Sequence, residues 1–206
     1  MPAQSEQEGV VKFRLEHELG SAPKHPDLAS LMCLRDELYA RNMIGVTDGG
    51  IGYGNVSVRF RDTAAGVVSF VISGTGTGRL ARLEPSACCL VTACDVERNQ
   101  VWCRGPVAAS SESMTHWAVY TANASMGCVL HVHSQRLFET LLRAGVTATP
   151  AEFAYGTPAM ALTVQAHAAA MPDGGILVMA GHDGGILVFG PSIAMARAIL
   201  WQWLEY

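Results

Sequence analysis

Two histidines one residue apart, His131 and His133, lie within the apolar run 128–133. This run predicts a buried strand, and a strand directs residues i and i+2 to the same face of its sheet. The two imidazole rings therefore lie side by side, and a fold that buries them must supply partners for their nitrogen atoms. A divalent metal ion is one such partner, because neutral imidazole is a preferred zinc ligand. Hydrogen bonds to backbone groups are the alternative.

A third histidine, His182, lies in the short turn 181–184, which begins and ends with glycine. Glycine has no Cβ, so the backbone of such a turn can approach another element closely. Three neutral imidazoles with one open coordination position are typical of a catalytic zinc site. The pattern therefore predicts a metal site on the three histidines, unless the turn is exposed and His182 lies elsewhere.

The segment 109–112 has the composition of a helix N-terminus, with Ser110 and Ser111 ahead of Glu112. The first backbone N–H groups of a helix have no partner within the helix, and the helix dipole favours negative charge there. Such an end can bind an anion. A simpler interpretation of Glu112 is that its carboxylate only stabilises the start of the helix.

Two glycine-rich loops, 47–55 and 73–78, precede this helix in the chain. Neither matches the Walker sequence or the dinucleotide fingerprint, because the glycine spacing differs and the second loop follows a hairpin. Asn55, Thr75 and Gly76 offer amide, hydroxyl and backbone donors to an anion. Together with the two serines, the loops predict a second subsite beside the metal.

Pairs of strands joined by short turns dominate the rest of the chain. A sheet built from hairpins is largely antiparallel, and helices between them cover its faces. The predicted fold is therefore an α/β (α+β) sandwich with a central, largely antiparallel sheet, and residues 1–206 are predicted as a single domain with a loosely held N-terminal arm over 1–25. The expected elements are helix 26–43, hairpins 56–72 and 89–103, helix 110–123, strand 128–133, helices 135–144 and 159–170, hairpin 175–189 and a last helix to 204.

Composition narrows the class of protein further. A formal net charge of −4 with scattered cationic residues argues against a nucleic-acid partner. No apolar stretch reaches the roughly 18 residues of a membrane helix, and the first residues lack the apolar core of a signal peptide. The six cysteines form no CxxC pair, which favours reduced thiols in a cytoplasmic protein. Because only 16% of residues are charged, we expect some apolar surface to be buried in a homo-oligomer.

Five motifs, taken in order, resemble the class II aldolase/adducin family over about residues 26–204. The resemblance implies a central antiparallel sheet flanked by helices, a small-molecule substrate, and commonly a four-fold symmetric homotetramer with active sites between subunits. The motifs are segments 54–59, 72–76, 110–112 and 131–134, and His182.

The resemblance also implies roles for the site residues. Zinc, or another divalent ion such as Mn, Co or Fe, would be bound by His131, His133 and His182, with Glu112 at the fourth position and acting as acid and base. In the sugar-phosphate aldolases of this family, a carbon–carbon bond next to a carbonyl is cleaved or formed through a metal-stabilised enediolate. The positions that match the family's phosphate-binding residues are Asn55, Thr75, Gly76, Ser110 and Ser111.

Several points stay open within this family. Its aldolases use one tyrosine after the two-histidine strand and another near the C-terminus, so Tyr155, Tyr206 and the nearby Glu152 are the candidate proton donors. Asp183 interrupts the usual Asn-His-Gly context of the third histidine, as a bystander or as a partner of the site. A dehydratase or epimerase on the same scaffold is one alternative function. A non-catalytic, adducin-like interaction domain is another, although it would not need all three histidines and Glu112.

Overall fold

The computed structural model describes residues 10–61 and 67–205. Its helices are α1 (Leu28–Ala40), α2 (Ser113–Ala122), α3 (Gln135–Arg143), α4 (Pro158–Ala169) and α5 (Ile193–Leu204). Its strands are β1 (Arg14–Leu19), β2 (Gly45–Val46), β3 (Gly52–Tyr53), β4 (Asn55–Arg59), β5 (Phe70–Ser73), β6 (Cys88–Asp95), β7 (Gln100–Gly105), β8 (Cys128–His133), β9 (Gly175–Val178) and β10 (Gly185–Gly190).

Eight of these strands form one sheet in the order β1-β7-β6-β5-β4-β8-β10-β9. Every neighbouring pair is antiparallel except β1 and β7, which run parallel. The predicted hairpins β4–β5, β6–β7 and β9–β10 are present, and the prediction of a largely antiparallel sheet is confirmed. Strand β8 pairs with β4 on one side and β10 on the other, so the two-histidine motif lies inside the sheet.

The helices cover both faces of this sheet. Buried side chains of α2 and α4 join one apolar cluster, whereas those of α1, α3 and α5 join a second cluster on the opposite face. The leucines of α1 show why: Leu28, Leu31, Leu34 and Leu38 recur at helical spacing, and each is at most 6% exposed. The flanked-sheet architecture that the sequence predicts is therefore present.

Local capping signals place the helix ends near the predicted positions. The hydroxyl of Ser134 accepts a hydrogen bond from the backbone N–H of Leu137, and Ser192 caps α5 in the same way through Met195. Gly145 follows α3 with a φ of 72°, the left-handed conformation expected of a glycine after a helix.

Three expectations differ from the structure. The segment 14–19 is strand β1 at the edge of the sheet, hydrogen-bonded to β7, so the prediction of a loosely held arm is wrong there. The loop 47–55 is partly ordered, because β3 pairs with β2 in a two-stranded sheet. Helix α2 begins at Ser113, with Glu112 as its N-cap, so Ser110 and Ser111 precede the helix. The candidate Tyr206 lies outside the described residues.

Candidate active site

His131 and His133 project from β8 toward the face of the sheet that carries α2 and α4. His131 is 1% exposed and lies opposite Asn55 on β4. The centroids of the two imidazole rings are 4.8 Å apart, and their Nε2 atoms are separated by 3.1 Å. The side-by-side arrangement predicted from the spacing is present, because both side chains leave the same face of one strand.

His182 reaches the same place from the turn between β9 and β10. The turn is closed by backbone hydrogen bonds from His182 N–H to the Met179 carbonyl and from Gly185 N–H to the His182 carbonyl, each 2.8 Å long. The His182 ring centroid lies 4.9 Å from that of His131 and 4.6 Å from that of His133. One nitrogen atom from each of the three rings lies within 4.8 Å of the others.

The donor set fits a divalent metal ion. The Nδ1 atom of His131 lies 3.3 Å from the Ile186 carbonyl oxygen, which only accepts, so Nδ1 carries the proton and Nε2 keeps its lone pair. Burial, followed by the neighbouring imidazoles, holds the pKa of His131 well below its ordinary value of 6.5. The ring is therefore neutral at physiological pH, the form in which imidazole binds metals.

Glu112 adds a buried carboxylate to this cluster. The side chain is held at the N-terminus of α2, where the helix dipole favours negative charge, and the residue is 1% exposed. The hydroxyl of Thr115 donates a hydrogen bond of 2.6 Å to Oε2, whereas Oε1 lies 3.8 Å from Nδ1 of His182. A carboxylate fixed in this way can act as a base or as a further metal ligand.

The cluster forms one wall of a pocket of about 320 Å³. The rest of the pocket lining, called the loop wall below, comes from the two glycine-rich loops and from the segment that leads into α2. The side-chain Oδ1 atom of the buried Asn55 has no hydrogen-bond partner among residues 10–61 and 67–205, which leaves an acceptor for a ligand or a water molecule. Eight of the ten predicted site residues line this pocket: Asn55, Thr75, Gly76, Ser110, Ser111, Glu112, His131 and His182.

Much of the loop wall is bare backbone. Gly54 has a φ of 74°, and a Cβ there would lie 2.7 Å from Ile44 and 3.1 Å from the His131 carbonyl oxygen, so only glycine allows this approach to β8. Gly76 has a φ of 70°, but a Cβ there would meet nothing within 4 Å. Gly54 is thus required by close packing, whereas Gly76 is required by its backbone conformation alone.

Tyr155 lies behind His182. Its ring stacks on the imidazole, with centroids 4.6 Å apart and an interplanar angle of 28°. Its hydroxyl accepts a hydrogen bond of 3.2 Å from the backbone N–H of Val10. Among the other candidates, Glu152 and Asp183 are exposed, so the structure brings neither side chain into the buried cluster.

Two residues near the pocket were not singled out by the sequence analysis. Tyr53 lines the pocket and tilts against His133, with ring centroids 5.3 Å apart. Its position within a glycine-rich loop next to the Gly54–Asn55 pair is a signal that could have indicated it. Arg35 supports the second loop from outside the pocket, and its place in an ordinary amphipathic helix offered no such signal.

Comparisons with known proteins agree with this description. The sequence profile of the Class II Aldolase and Adducin N-terminal domain matches residues 35–205. No curated protein matches the chain significantly. No helix within 10–61 or 67–205 combines the length and the hydropathy needed to span a membrane.

Similar solved structures share the fold. YgbL from Escherichia coli is 18% identical with a TM-score of 0.62, over 86% of this chain and 84% of that chain. YgbL from Klebsiella pneumoniae is 18% identical with a TM-score of 0.63 over the same shares. L-fuculose 1-phosphate aldolase is 18% identical with a TM-score of 0.61, over 91% of this chain and 85% of that chain.

Proposed function

We propose that this chain, which belongs to the class II aldolase and adducin family, is a divalent-metal-dependent lyase that cleaves or forms a carbon–carbon bond next to a carbonyl. The proposed substrate is a sugar phosphate or a related hydroxy-ketone. One observation carries the proposal: three imidazoles and a buried carboxylate converge on one wall of a pocket whose other wall offers hydroxyl, amide and backbone donors.

The three histidines would hold the ion, with zinc as the first choice and Mn, Co or Fe as others. The neutral ring of His131 meets the requirement for a lone pair, and Glu112 lies close enough to the cluster to complete the coordination. When bound, the ion would supply Lewis-acid polarisation of the substrate oxygens next to the reacting bond.

Glu112 would move the proton at the carbon next to the carbonyl. Thr115 fixes one carboxylate oxygen, so the other keeps a constant position beside His182. A base held in one orientation transfers a proton without first losing conformational freedom. Tyr155, stacked on His182 at the edge of the cluster, is the proposed proton donor to the aldehyde oxygen when the carbon–carbon bond forms.

The substrate's anionic group would bind at the loop wall. Ser110 and Ser111 offer hydroxyls ahead of α2, and Asn55 offers its side-chain amide. Thr75 brings a hydroxyl and Gly76 a backbone N–H from the second loop. A phosphate and a carboxylate share this chemistry, because both are oxyanions that accept several hydrogen bonds.

We further propose that the chain forms one domain and assembles as a cytoplasmic homo-oligomer, with a tetramer favoured. Support comes from the low charged fraction of 16% and from large exposed apolar side chains on three helices. Sedimentation of the metal-loaded protein tests the assembly, and a monomer would contradict it. The exposed side chains are Leu142, Leu162 and Met195.

A Glu112→Gln substitution tests the chemistry. We expect the variant to keep its metal but to lose about 100- to 10,000-fold in turnover, because the amide cannot accept the proton. Metal content would be measured by mass spectrometry, and aldehyde release would be followed with ketose 1-phosphates, L-fuculose 1-phosphate among them. The exposed Glu97→Gln is the matched control. A metal-free wild-type protein, or full turnover in Glu112→Gln, contradicts the proposal.

An epimerase or dehydratase is the second candidate. The observation behind it is the similarity to YgbL, whose activity is left open among aldolase, epimerase and decarboxylase. Aldol cleavage, elimination of water and epimerisation next to a carbonyl can pass through the same type of enolate, so the site residues would keep their roles. Product analysis separates them: loss of water or inversion of a stereocentre, without release of an aldehyde, favours the second candidate.

A further inference from the structure

Arg35 is a buried cation that no step described above uses. It lies on α1, is 1% exposed, and does not line the pocket. Its guanidinium donates hydrogen bonds to three backbone carbonyls of a single loop. Burying a charged guanidinium costs free energy, so a buried arginine is stable only where its N–H donors have acceptors. The acceptors are the carbonyl oxygens of Thr77, at 2.9 Å, of Gly78, at 3.3 Å, and of Leu80.

The loop that Arg35 holds is the 74–80 loop, which carries Thr75 and Gly76 on the pocket wall. The loop is also fixed internally. The hydroxyl of Thr77 donates a hydrogen bond of 2.7 Å to the Gly74 carbonyl, and the backbone N–H of Thr75 donates one of 3.0 Å to the Ala108 carbonyl. Arg35 ties the far end of the loop to the body of the protein through α1.

The direction of the carbonyls has a consequence for the amide groups. A trans peptide unit is planar, and its C=O and N–H point in opposite directions. Because the carbonyls of Thr77 and Gly78 turn toward Arg35, the N–H groups of Gly78 and Arg79 turn away from it. Gly78 itself lines the pocket. The arginine thus sets which side of the loop presents donors.

The positive charge of Arg35, like its hydrogen bonds to the loop, would favour an anion in front of the loop. Its nearest carboxylate is Asp36, at 3.4 Å, whose side chain is 28% exposed and therefore partly screened by water. The guanidinium itself is almost fully buried, so its positive potential is screened less on the side of the loop. A positive charge behind a row of backbone donors favours a negative ligand in front of them.

We propose that Arg35 is a positioning residue for the substrate's anionic group, which it serves by holding the 74–80 loop with its amide donors toward the pocket. The inference rests on the proposed function, because it requires an oxyanion to bind at this wall. Arg35 does not touch the ligand. It acts through the loop, and the expected consequence is a loss of anion affinity without a loss of metal affinity.

Binding of inorganic phosphate to the zinc-loaded protein tests the inference. We expect Arg35→Met to raise the Kd for phosphate about tenfold or more, because the loop loses three charge-assisted hydrogen bonds. Arg35→Lys keeps the cation but not the fork of donors, so its Kd should rise by a smaller factor. Zinc affinity should not change in either variant. With substrate, KM should rise and kcat should stay within about twofold.

The control is Arg41→Met at the exposed C-cap of the same helix, where the arginine pairs with Glu37. Calorimetry gives both affinities, and thermal unfolding shows whether each variant is folded. Arg35→Lys carries the test if Arg35→Met does not fold. Folded Arg35 variants that bind phosphate as tightly as wild type overturn this inference and leave the proposed function intact. A wild-type protein that binds zinc but no phosphate overturns the inference together with the anion subsite of the proposed function.

Discussion

The two walls of the pocket are built in different ways. The metal wall consists of four side chains on a strand, a tight turn and a helix start: His131, His182 and Glu112 are buried, and His133 is half-buried. The loop wall consists largely of backbone, in the β2–β3 segment and in the 74–80 loop. Side chains on regular elements take their positions from the hydrogen-bonded ladder below them. A backbone wall takes its position from contacts made elsewhere, of which those of Arg35 are the clearest.

Because the two walls are built differently, we expect substitutions in them to have different effects. With the roles proposed above, a substitution in the metal wall removes a ligand or a base directly, and we expect the sheet beneath it to stay in place. A substitution in the loop wall changes the direction of amide groups, so it weakens binding without removing any catalytic atom. Three experiments follow, with expected effects from the largest to the smallest: the first and the third test whether the two walls are separable, and the second tests the packing beneath the metal wall.

The largest effect is expected for His182→Ala. Removing one of three imidazoles should lower zinc affinity more than about 100-fold, because two neutral nitrogen ligands and a carboxylate hold the ion poorly. Zinc affinity would be measured by competition with a chelating dye. The matched control is His167→Ala, which changes a histidine in the last turn of α4. Unchanged zinc affinity in His182→Ala would mean that the metal wall does not bind the ion as proposed.

A second effect concerns acid stability beneath the metal wall. Burial lowers the pKa of His116 to about 3, from an ordinary value of 6.5. Between pH values of about 3 and 6.5, His116 binds a proton in the unfolded chain but not in the folded chain. The free energy of unfolding therefore falls as the pH is lowered below 6.5. The Nδ1 atom of His116 lies 2.7 Å from the Ser57 hydroxyl oxygen, and that oxygen lies 2.7 Å from the Tyr120 hydroxyl oxygen.

His116→Gln removes the titrating group and keeps a hydrogen-bonding side chain next to Ser57. We expect the stability advantage of wild type over this variant to shrink by about 2 kcal/mol between pH 6.5 and pH 5. Urea unfolding of the metal-free proteins at several pH values measures this difference in the free energy of unfolding. An advantage that stays constant over this range would show that His116 is protonated in the folded protein at no cost.

The smallest effect is expected for Gly76→Ala in the loop wall. A Cβ meets no atom there, but the φ of 70° is unfavourable for alanine by about 1 kcal/mol. The free energy of unfolding should fall by this amount, phosphate affinity should fall severalfold, and zinc affinity should not change. Gly145→Ala carries the same strain, at a φ of 72° and with open space, away from the pocket. Equal phosphate affinity in the two variants would show that the loop backbone does not bind the anion.

Much of the fold follows from local patterns. The hairpins, the leucine stripe of α1, the caps at Ser134 and Ser192 and the glycine at 145 all depend on residues close together in the chain. The pairing of Arg14 with Gln100 does not, because nothing near β1 indicates a parallel partner so distant in sequence. Edge strands with mixed polarity carry weak periodicity, and β1 was therefore missed.

The candidate site divides in the same way. The sequence predicted most of the metal wall, since two histidines two residues apart on a strand share a face and the residues around Glu112 indicated a helix start. Only the tertiary structure decided that His182 joins the cluster, that Tyr155 stacks on it, and that Arg35 donates hydrogen bonds to the 74–80 loop. The physical reason is range: strand alternation and helix capping act over a few residues, whereas these contacts join segments that only the packed sheet brings together.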